Sequence, residues 1–336
     1  MVTNYHRLKN FRPEDFVGVV VDESSCLKNF ESVYKKEITE FIGKIKYRLL
    51  CTATPSPNDF MELGTSSEAL GEMTRNQMLA MFFTNDGENT QQWNLKGHAK
   101  TRFWQWMATW ARAARKPSDL GFEDGDFILP ELKIHQHILP SIDGKMDGFF
   151  PYVARTLDEQ RAERTRTLKI RCEKVASLIP KNRPALVWCH LNSEGDLLEK
   201  IIPGAVQVAG KDKDEVKEER LMAFSSGQIK VLVTKSKIAG FGLNWQHCSD
   251  VFWFPSHSHE AYYQAIRRCW RFGQKNPVNC HIVTTEPERL VMENMLRKER
   301  QSIELYAGIV KHMGDAISEN KHLSNGHVKM EVPSWL

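Results

Sequence analysis

Three arginines and two glutamines are concentrated in one stretch, Gln264-Ala-Ile-Arg-Arg-Cys-Trp-Arg-Phe-Gly-Gln274. Gly273 would close a helix here. The i, i+4, i+7 spacing then places Gln264, Arg268 and Arg271 on one face. The planar guanidinium group suits phosphate oxygens, because its N–H groups can bind two oxygens at once. The stretch therefore predicts a helix that presents fixed cations to an anion, and a solvated basic face is the alternative interpretation.

A pair of acids follows an apolar run near the start of the chain. Val17-Gly-Val-Val-Val21 leads directly into Asp22 and Glu23. At the carboxyl end of a buried strand, such a pair could hold Mg²⁺ through water and polarise an attacking water molecule. An isolated Asp-Glu pair usually marks only a polar loop. The apolar run before it favours the functional interpretation.

Two threonines follow the next apolar run, residues 47–51. The sequence there is Thr52-Ala-Thr-Pro-Ser-Pro-Asn58, in which two prolines restrict the backbone. The hydroxyls of Thr52 and Thr54 could couple an acidic nucleotide site to a neighbouring groove. A proline-rich turn without function is the alternative.

Buried strands must position these residues, and the chain contains short apolar runs of the required kind. They lack polar alternation and are separated by helical patterns, which is typical of parallel strands buried on both faces. The runs are 17–21, 47–51, 185–189, 205–208, 229–233, 251–254 and 279–283. We therefore predict an α/β fold with one lobe in residues 1–59, a helical insertion or linker at 60–135, a second lobe at 136–300 and a tail at 301–336.

The segments between the strands have their own patterns. Phe103, Trp106, Met107 and Trp110 share one side at helical spacing, which is more typical of a core than of a cofactor site. The polar residues 85–98 predict an exposed loop. One long helix is predicted over 157–179, with its arginines in solvent.

Composition limits the class of protein. The 336 residues carry a net charge of +4, so nucleic acid is a plausible partner, although no polybasic tail is present. The seven cysteines form no C-x-x-C pair, which indicates reduced thiols and not a disulfide or zinc site. Neither a signal region nor an apolar run long enough to span a membrane occurs. We expect a cytoplasmic protein that does not enter a membrane.

Together the motifs resemble those of superfamily-two helicases, and most closely the Swi/Snf-type DNA-dependent ATPases of phage-like or bacterial character. The stretches that resemble motifs II, III, V and VI are Asp22-Glu-Ser-Ser-Cys-Leu-Lys-Asn29, Thr52-Ala-Thr-Pro55, Gly240-Phe-Gly-Leu-Asn244 and Gln264 to Gln274. Thr3-Asn-Tyr5 resembles the short motif ahead of the acidic pair. The resemblance implies two RecA-like parallel-sheet lobes with a helical insertion, ATP and Mg²⁺ as cofactors, and double-stranded DNA as a partner.

The resemblance also implies a role for each matching residue. Asp22 would bind Mg²⁺ and Glu23 would be the catalytic base, while Arg268 and Arg271 would contact the γ-phosphate as arginine fingers. The other implied residues are Gly240, Gly242 and Gln264 for nucleotide binding, Thr52, Thr54 and Asn244 for coupling, and Ser236 and Lys237 for contacts to DNA phosphates.

Two departures from the family pattern affect the expected activity. Ser25 stands where a histidine is frequent, which puts coupling through an imidazole in doubt. A phosphate-binding G-x-x-x-x-G-K-[ST] loop is absent from the sequence, because its Gly-Lys pairs are followed by Ile45, Met146 and Asp212. We therefore expect an incomplete first lobe, and weak or no ATP hydrolysis by this chain alone. The alternatives are a non-catalytic DNA-binding or regulatory module, and an ATPase completed by a separate chain that carries the Walker A lobe.

Overall fold

The computed structural model describes residues 1–28, 33–56, 58–86, 89–140, 146–147, 150–151, 153–154, 156–239 and 242–323. The chain divides into two compact units, Met1–Glu123 with Arg300–Leu336, and Asp124–Glu299. The first unit thus combines the predicted first lobe with most of the insertion and the C-terminal segment. None of the helices in the described ranges has the length and apolar composition needed to cross a membrane.

The first unit begins with a parallel strand pair, as the apolar runs predict. The strands β1 (Gly18–Val21) and β2 (Tyr47–Leu50) are connected through α1 (Val33–Gly43), with Val20 opposite Leu49. One face of the pair packs on α1, where Val21, Leu27, Ile38 and Ile42 are buried. The elements that follow are α2 (Leu63–Leu70), α3 (Arg75–Phe82), β3 (Phe83–Asp86), β4 (Asn89–Leu95) and α4 (Lys100–Trp110).

A second core in this unit forms around the tryptophan-rich helix α4. Phe103 and Met107 are buried, and Trp106 and Trp110 pack at its edge, which confirms the predicted core role. The prediction of an exposed loop at 85–98 is wrong for most of that range, because β3 and β4 form an antiparallel hairpin. Trp93 and Leu95 pack the hairpin against the same cluster, although polar residues dominate its sequence.

The second unit is built on a six-stranded parallel sheet in the order β5-β12-β11-β8-β10-β9. This confirms the predicted α/β class. Its elements are β5 (Leu132–Leu139), β6 (Met146–Asp147), β7 (Phe150–Pro151), α5 (Leu157–Arg166), α6 (Leu168–Leu178), β8 (Ala185–Trp188), α7 (Asn192–Ile201), β9 (Ala205–Val208), α8 (Asp214–Ser225), β10 (Val231–Thr234), α9 (Ser236–Ala239), β11 (Asp250–Trp253), α10 (His259–Ile266), β12 (Val278–Thr285) and α11 (Arg289–Leu323).

Every predicted apolar run corresponds to a strand, and the central strands β8, β10 and β11 are buried throughout. The edge strand β5 was not predicted, because its apolar and polar residues alternate and only part of it is buried. Since β8 lies between β10 and β11, the strand order reverses there. The carboxyl ends of the strands at such a reversal form the usual binding crevice of open α/β sheets.

The predicted helix over 157–179 is two helices that separate at Thr167, next to a buried ion pair. The Thr167 hydroxyl donates to the Glu163 carbonyl at 2.7 Å and accepts a bond from Arg171 Nε at 3.1 Å. The backbone bond from Thr167 N to the Glu163 carbonyl is kept, so the interruption is confined to one residue. Arg171 then reaches Glu194 Oε1 on α7 at 2.7 Å, and both residues are inaccessible to solvent. The prediction of one helix with solvated arginines is therefore wrong at Arg171.

The Glu194 carboxylate also holds the end of β8. Its Oε2 accepts the backbone N–H groups of His190 and Leu191 at 2.8 and 2.9 Å. Burial by itself would raise the pKa of Glu194, but Arg171 and these N–H groups outweigh it and lower the pKa below its ordinary value. The carboxylate is therefore charged and fully bonded in the folded protein.

Removing one partner of this pair is expected to lower the free energy of unfolding more than removing both. We expect Glu194→Ala to lower the free energy of unfolding by about 3–5 kcal/mol, because it leaves the Arg171 charge buried without its partner. The double variant Arg171→Met/Glu194→Leu should recover the part of that loss due to the unpaired charge, although the N–H groups of His190 and Leu191 still lack their acceptor. Urea unfolding followed by circular dichroism measures both, and equal stability of Glu194→Ala and the wild type would contradict the role of the pair.

Three histidines stack at the edge of the same sheet. The ring of His281 on β12 lies 4.7 Å from that of His135 and 5.3 Å from that of His137, both on β5, and 4.7 Å from Phe252 on β11. Burial and the neighbouring histidines lower the pKa of His281 to about 4. Burial, with Lys174 on α6 and His135, also lowers the pKa of His137. Neutral rings are therefore favoured in the folded protein.

The free energy of unfolding should fall as pH is lowered from the pKa of an unfolded histidine towards that of His281 in the folded protein. An unfolded histidine has a pKa of about 6.5, so the unfolded chain takes up protons between roughly pH 6.5 and 4 while His281 resists them. We expect the wild type to lose about 1–2 kcal/mol more than His281→Phe between pH 7.5 and pH 5. His98→Phe, at an exposed position of the first unit, is the matched control and should keep the wild-type pH dependence in urea unfolding.

Candidate functional site

The acidic pair lies at the carboxyl end of β1, where Asp22 is exposed and Glu23 is half-buried. Asp22 Oδ1 accepts the Glu23 N–H at 2.9 Å, and the Tyr5 hydroxyl donates to the Asp22 carbonyl. Glu23 has a φ of +48°, and it is the one residue other than glycine with a positive φ in the part of the chain described. Surrounding contacts must hold such a conformation, and it is found most often at functional sites.

The threonine turn lies beside the acidic pair. Backbone bonds tie the two together, from Cys51 N to the Val21 carbonyl and from Ser24 N to the Cys51 carbonyl, both at 2.9 Å. Thr52 Oγ1 accepts the Thr54 N–H at 3.0 Å. The structure thus brings Thr52 and Thr54 next to the acidic pair, at the ends of neighbouring parallel strands.

Several buried hydroxyls near this turn are without hydrogen-bond partners among the described residues. They belong to Ser24, Thr54 and Ser56. Buried polar atoms are normally bonded to protein, water or an ion. These hydroxyls are therefore available for bonds to water or to the oxygens of a ligand.

Glu62 is a residue of this region that sequence reasoning did not select. It is buried, and its carboxylate accepts bonds from Asn58 Nδ2 at 2.7 Å and Asn58 N at 3.0 Å. Burial raises the pKa of Glu62 in spite of these bonds. The i, i+4 spacing of Asn58 and Glu62 after the prolines was the available signal, and Glu62 supports the backbone just after the threonine turn.

A Mg²⁺ ion, which the helicase resemblance implies, would have few protein ligands in this unit. No group of three or more His, Cys, Asp or Glu side chains suited to a metal occurs within the described ranges. Mg²⁺ is typically held by one or two carboxylates together with substrate phosphates and water. The single exposed carboxylate of Asp22 fits an ion held in that way.

The arginine-rich stretch is only partly helical. The helix α10 ends at Ile266, and turns follow up to Gly273, which has a φ of +90°. The prediction of one helix over the whole stretch is therefore wrong. From Arg268 onward the backbone bonds depart from the α-helical pattern, because Arg268 N donates to the Ala265 carbonyl at 3.3 Å and the Arg268 carbonyl accepts the Trp245 N–H at 2.8 Å. Helical spacing places Tyr262, Ile266, Cys269 and Trp270 on the side away from Gln264, Arg268 and Arg271, and the structure buries all of these four except Trp270, which is half-buried.

The guanidinium groups of this stretch are bonded to a neighbouring loop. Arg268 is buried and donates to Gln264 Oε1, to the Gln264 carbonyl and to the Leu243 carbonyl, at 3.0, 3.1 and 3.0 Å. Arg271 Nη1 donates to Asn244 Oδ1. The structure therefore brings Gln264, Arg268, Arg271 and Asn244 together in one network.

The glycine loop and the expected DNA contacts lie nearby in the chain. Gly242 has a φ of +76°, so a side chain at this position would be strained. Gly240 lies outside the described residues. Ser236 and Lys237 follow β10 at the carboxyl edge of the sheet, where Ser236 is buried and Lys237 is exposed. Of the two, Lys237 has the exposure that a phosphate contact requires.

Backbone strain at Glu23 predicts that glycine at this position is more stable than alanine, the reverse of the usual order. A residue with a side chain in the left-handed region costs about 1–2 kcal/mol relative to glycine. We therefore expect Glu23→Gly to be more stable than Glu23→Ala by about 1 kcal/mol in urea unfolding. At Glu218, an exposed position of α8, glycine should be less stable than alanine by about 0.5–1 kcal/mol. The same order at both positions would show that Glu23 is not strained.

Comparison with known proteins supports the interpretation of the second unit. Residues 169–273 match the family described as "Helicase conserved C-terminal domain". This range contains Ser236, Lys237, Gly242, Asn244, Gln264, Arg268 and Arg271. It confirms the resemblance to helicases at the level of this domain, so this part of the chain is helicase-like.

One solved structure with a similar chain is "Crystal structure of the C-terminal part of Fun30 ATPase domain". Its identity to this chain is 19% and the TM-score is 0.33. The similarity covers 41% of this chain and 52% of that one, so this chain spans about half of that structure's length. A search of curated proteins gave no match.

Proposed function

We propose that this chain is part of a helicase-like, DNA-dependent ATPase of the Swi/Snf type, which couples ATP hydrolysis to movement on double-stranded DNA. The observation that supports this most directly is the helicase C-terminal match over residues 169–273, which includes the hydrogen-bonded network of Arg268, Arg271 and Asn244. Guanidinium groups held in place in this way suit phosphoryl transfer, which depends mainly on positioning and charge stabilisation.

In this proposal the acidic turn acts on the nucleotide. Asp22 would hold Mg²⁺ through its exposed carboxylate, and Glu23 would accept a proton from the attacking water. The bound Mg²⁺ would neutralise charge on the phosphate oxygens. The bond from Tyr5 to the Asp22 carbonyl would hold the backbone of this turn in place. Arg268 and Arg271 would bind phosphate oxygens.

A specific observation favours a second candidate, an ATPase completed by a separate chain. The outer face of the β1–β2 pair is apolar but open, since Val20, Tyr47 and Leu49 are 63%, 60% and 55% exposed. Continuous apolar strands of this kind are normally covered on both faces. The missing phosphate-binding motif would then be supplied by a chain whose strand and helix cover this face, and the present chain would be inactive alone.

The proposal is tested first by DNA binding. Purified chain should bind a duplex oligonucleotide at low salt, and Lys237→Ala should weaken binding and reduce the slope of log K against log salt by about 0.9 for one lost phosphate contact. The control is Lys181→Ala, because Lys181 is exposed and lies before the amino end of β8, whereas Lys237 follows the carboxyl end of β10. Fluorescence anisotropy measures both slopes. Absence of duplex binding by the wild type would contradict the proposal.

Phosphate release measures the catalytic part of the proposal. We expect little or no DNA-stimulated ATP hydrolysis by the chain alone, because arginine side chains do not replace the phosphate-binding loop. Glu23→Gln is the control for contaminating activity. Rapid turnover that Glu23→Gln abolishes would show that the chain is a complete ATPase and would rule out the second candidate.

A further inference from the structure

Arg267 is the third guanidinium of the arginine-rich stretch, and its surroundings differ from those of the other two. Its guanidinium carbon lies 5.0 Å from the ring centre of Tyr263 and 4.4 Å from that of Trp270. These rings stand one turn before and one turn after Arg267. Both distances are within the range of a cation–π interaction, so the cation is stacked on aromatic faces.

Other contacts fix one of the two aromatic partners, Trp270. Trp270 Nε1 donates to the Pro130 carbonyl at 2.7 Å, and the Trp270 ring packs against the main core of the second unit. Arg267 N donates to the Tyr263 carbonyl at 3.1 Å, which continues the helix by one residue. A guanidinium held on fixed rings loses less conformational freedom when it binds a ligand.

The hydrogen-bonding capacity of Arg267 is unused by the described part of the chain. Its Nε is buried without a hydrogen-bond partner there, and no described carboxylate forms an ion pair with its guanidinium. Arg268, in contrast, donates at least three bonds within the chain, and Arg271 donates to Asn244. A guanidinium has five N–H donors, so Arg267 can still form a two-point contact with an oxyanion.

We propose that Arg267 is a phosphate-binding residue of this surface, stacked between Tyr263 and Trp270 so that its fork is ready to bind. The inference rests on the proposed function and assigns a ligand-binding role to a residue that the motif comparison left without one. Three guanidinium groups within five consecutive positions favour a multiply charged ligand over a single carboxylate. The ligand class is a phosphate oxyanion, from either a polynucleotide backbone or a nucleotide.

The test compares two substitutions of Arg267 in the full chain. Arg267→Lys keeps the charge but removes the planar fork, and Arg267→Met removes the charge. The matched control is Arg183→Lys. Arg183 is exposed, lies before the amino end of β8 and forms an ion pair with Asp250 at 3.2 Å. Duplex DNA is titrated by fluorescence anisotropy and MgATP by calorimetry. Circular dichroism verifies that each variant is folded.

We expect Arg267→Lys to weaken binding of at least one of the two ligands by about tenfold, as loss of a charge-assisted hydrogen bond predicts. Arg183→Lys should stay within about twofold of the wild type. Loss for DNA alone, with a salt slope about 0.9 smaller in Arg267→Met, identifies a backbone phosphate. Loss for MgATP alone identifies a nucleotide phosphate, and loss for both identifies a shared contact.

Two results would overturn the inference, and they differ in what else they remove. If the wild type binds DNA or MgATP and both Arg267 variants bind as tightly as Arg183→Lys, Arg267 is not a phosphate ligand and the proposed function stands. If the wild type binds neither ligand, the proposed function fails and the inference fails with it.

Discussion

The ion pair between Arg171 and Glu194 is the interaction on which the arrangement of the second unit depends. It joins α6 to α7 in a place without solvent, and the same carboxylate holds the backbone at the end of β8. Arg171 also lies 4.8 Å from the ring of Phe254, just after β11. The desolvation of two charges offsets much of their attraction, so the value of such a pair is in the geometry it imposes. Here that geometry sets the carboxyl edge of the two central strands.

Hydrogen bonds from a second buried guanidinium, that of Arg268, organise the arginine-rich stretch. Arg268 holds the Leu243 carbonyl and the Gln264 side chain, and its own carbonyl holds Trp245. These contacts lie just after the end of α10 and tie the stretch to the loop before β11. The three arginines are therefore not equivalent. Arg268 is a buried structural donor, Arg271 is bonded to Asn244, and Arg267 is stacked on two rings with no hydrogen bond from its fork to the described residues.

Apolar strands are covered to different extents in the two units. The apolar strands β8, β10 and β11 are covered on both faces, whereas β1 and β2 are covered on one. The exposed face of β1 and β2 borders the turn that carries Asp22 and the strained Glu23. Incomplete cover and backbone strain at the same strand end are both unfavourable for stability. Their coincidence there is consistent with a site that binding of another molecule completes.

The sequence by itself determined the α/β class, the positions of seven strands, the core role of α4 and the helicase resemblance of the second unit. These follow from local patterns, because apolar runs report burial and motif residues lie close together in the chain. Only the tertiary structure decided where α5 and α10 end, that Arg171 is buried, that residues around Trp93 form a hairpin and which arginine has donors not used by the described residues. Two of these involve a partner far away in the chain, Glu194 for Arg171 and Trp245 for the carbonyl of Arg268. Periodicity describes one element at a time and contains no information on such partners.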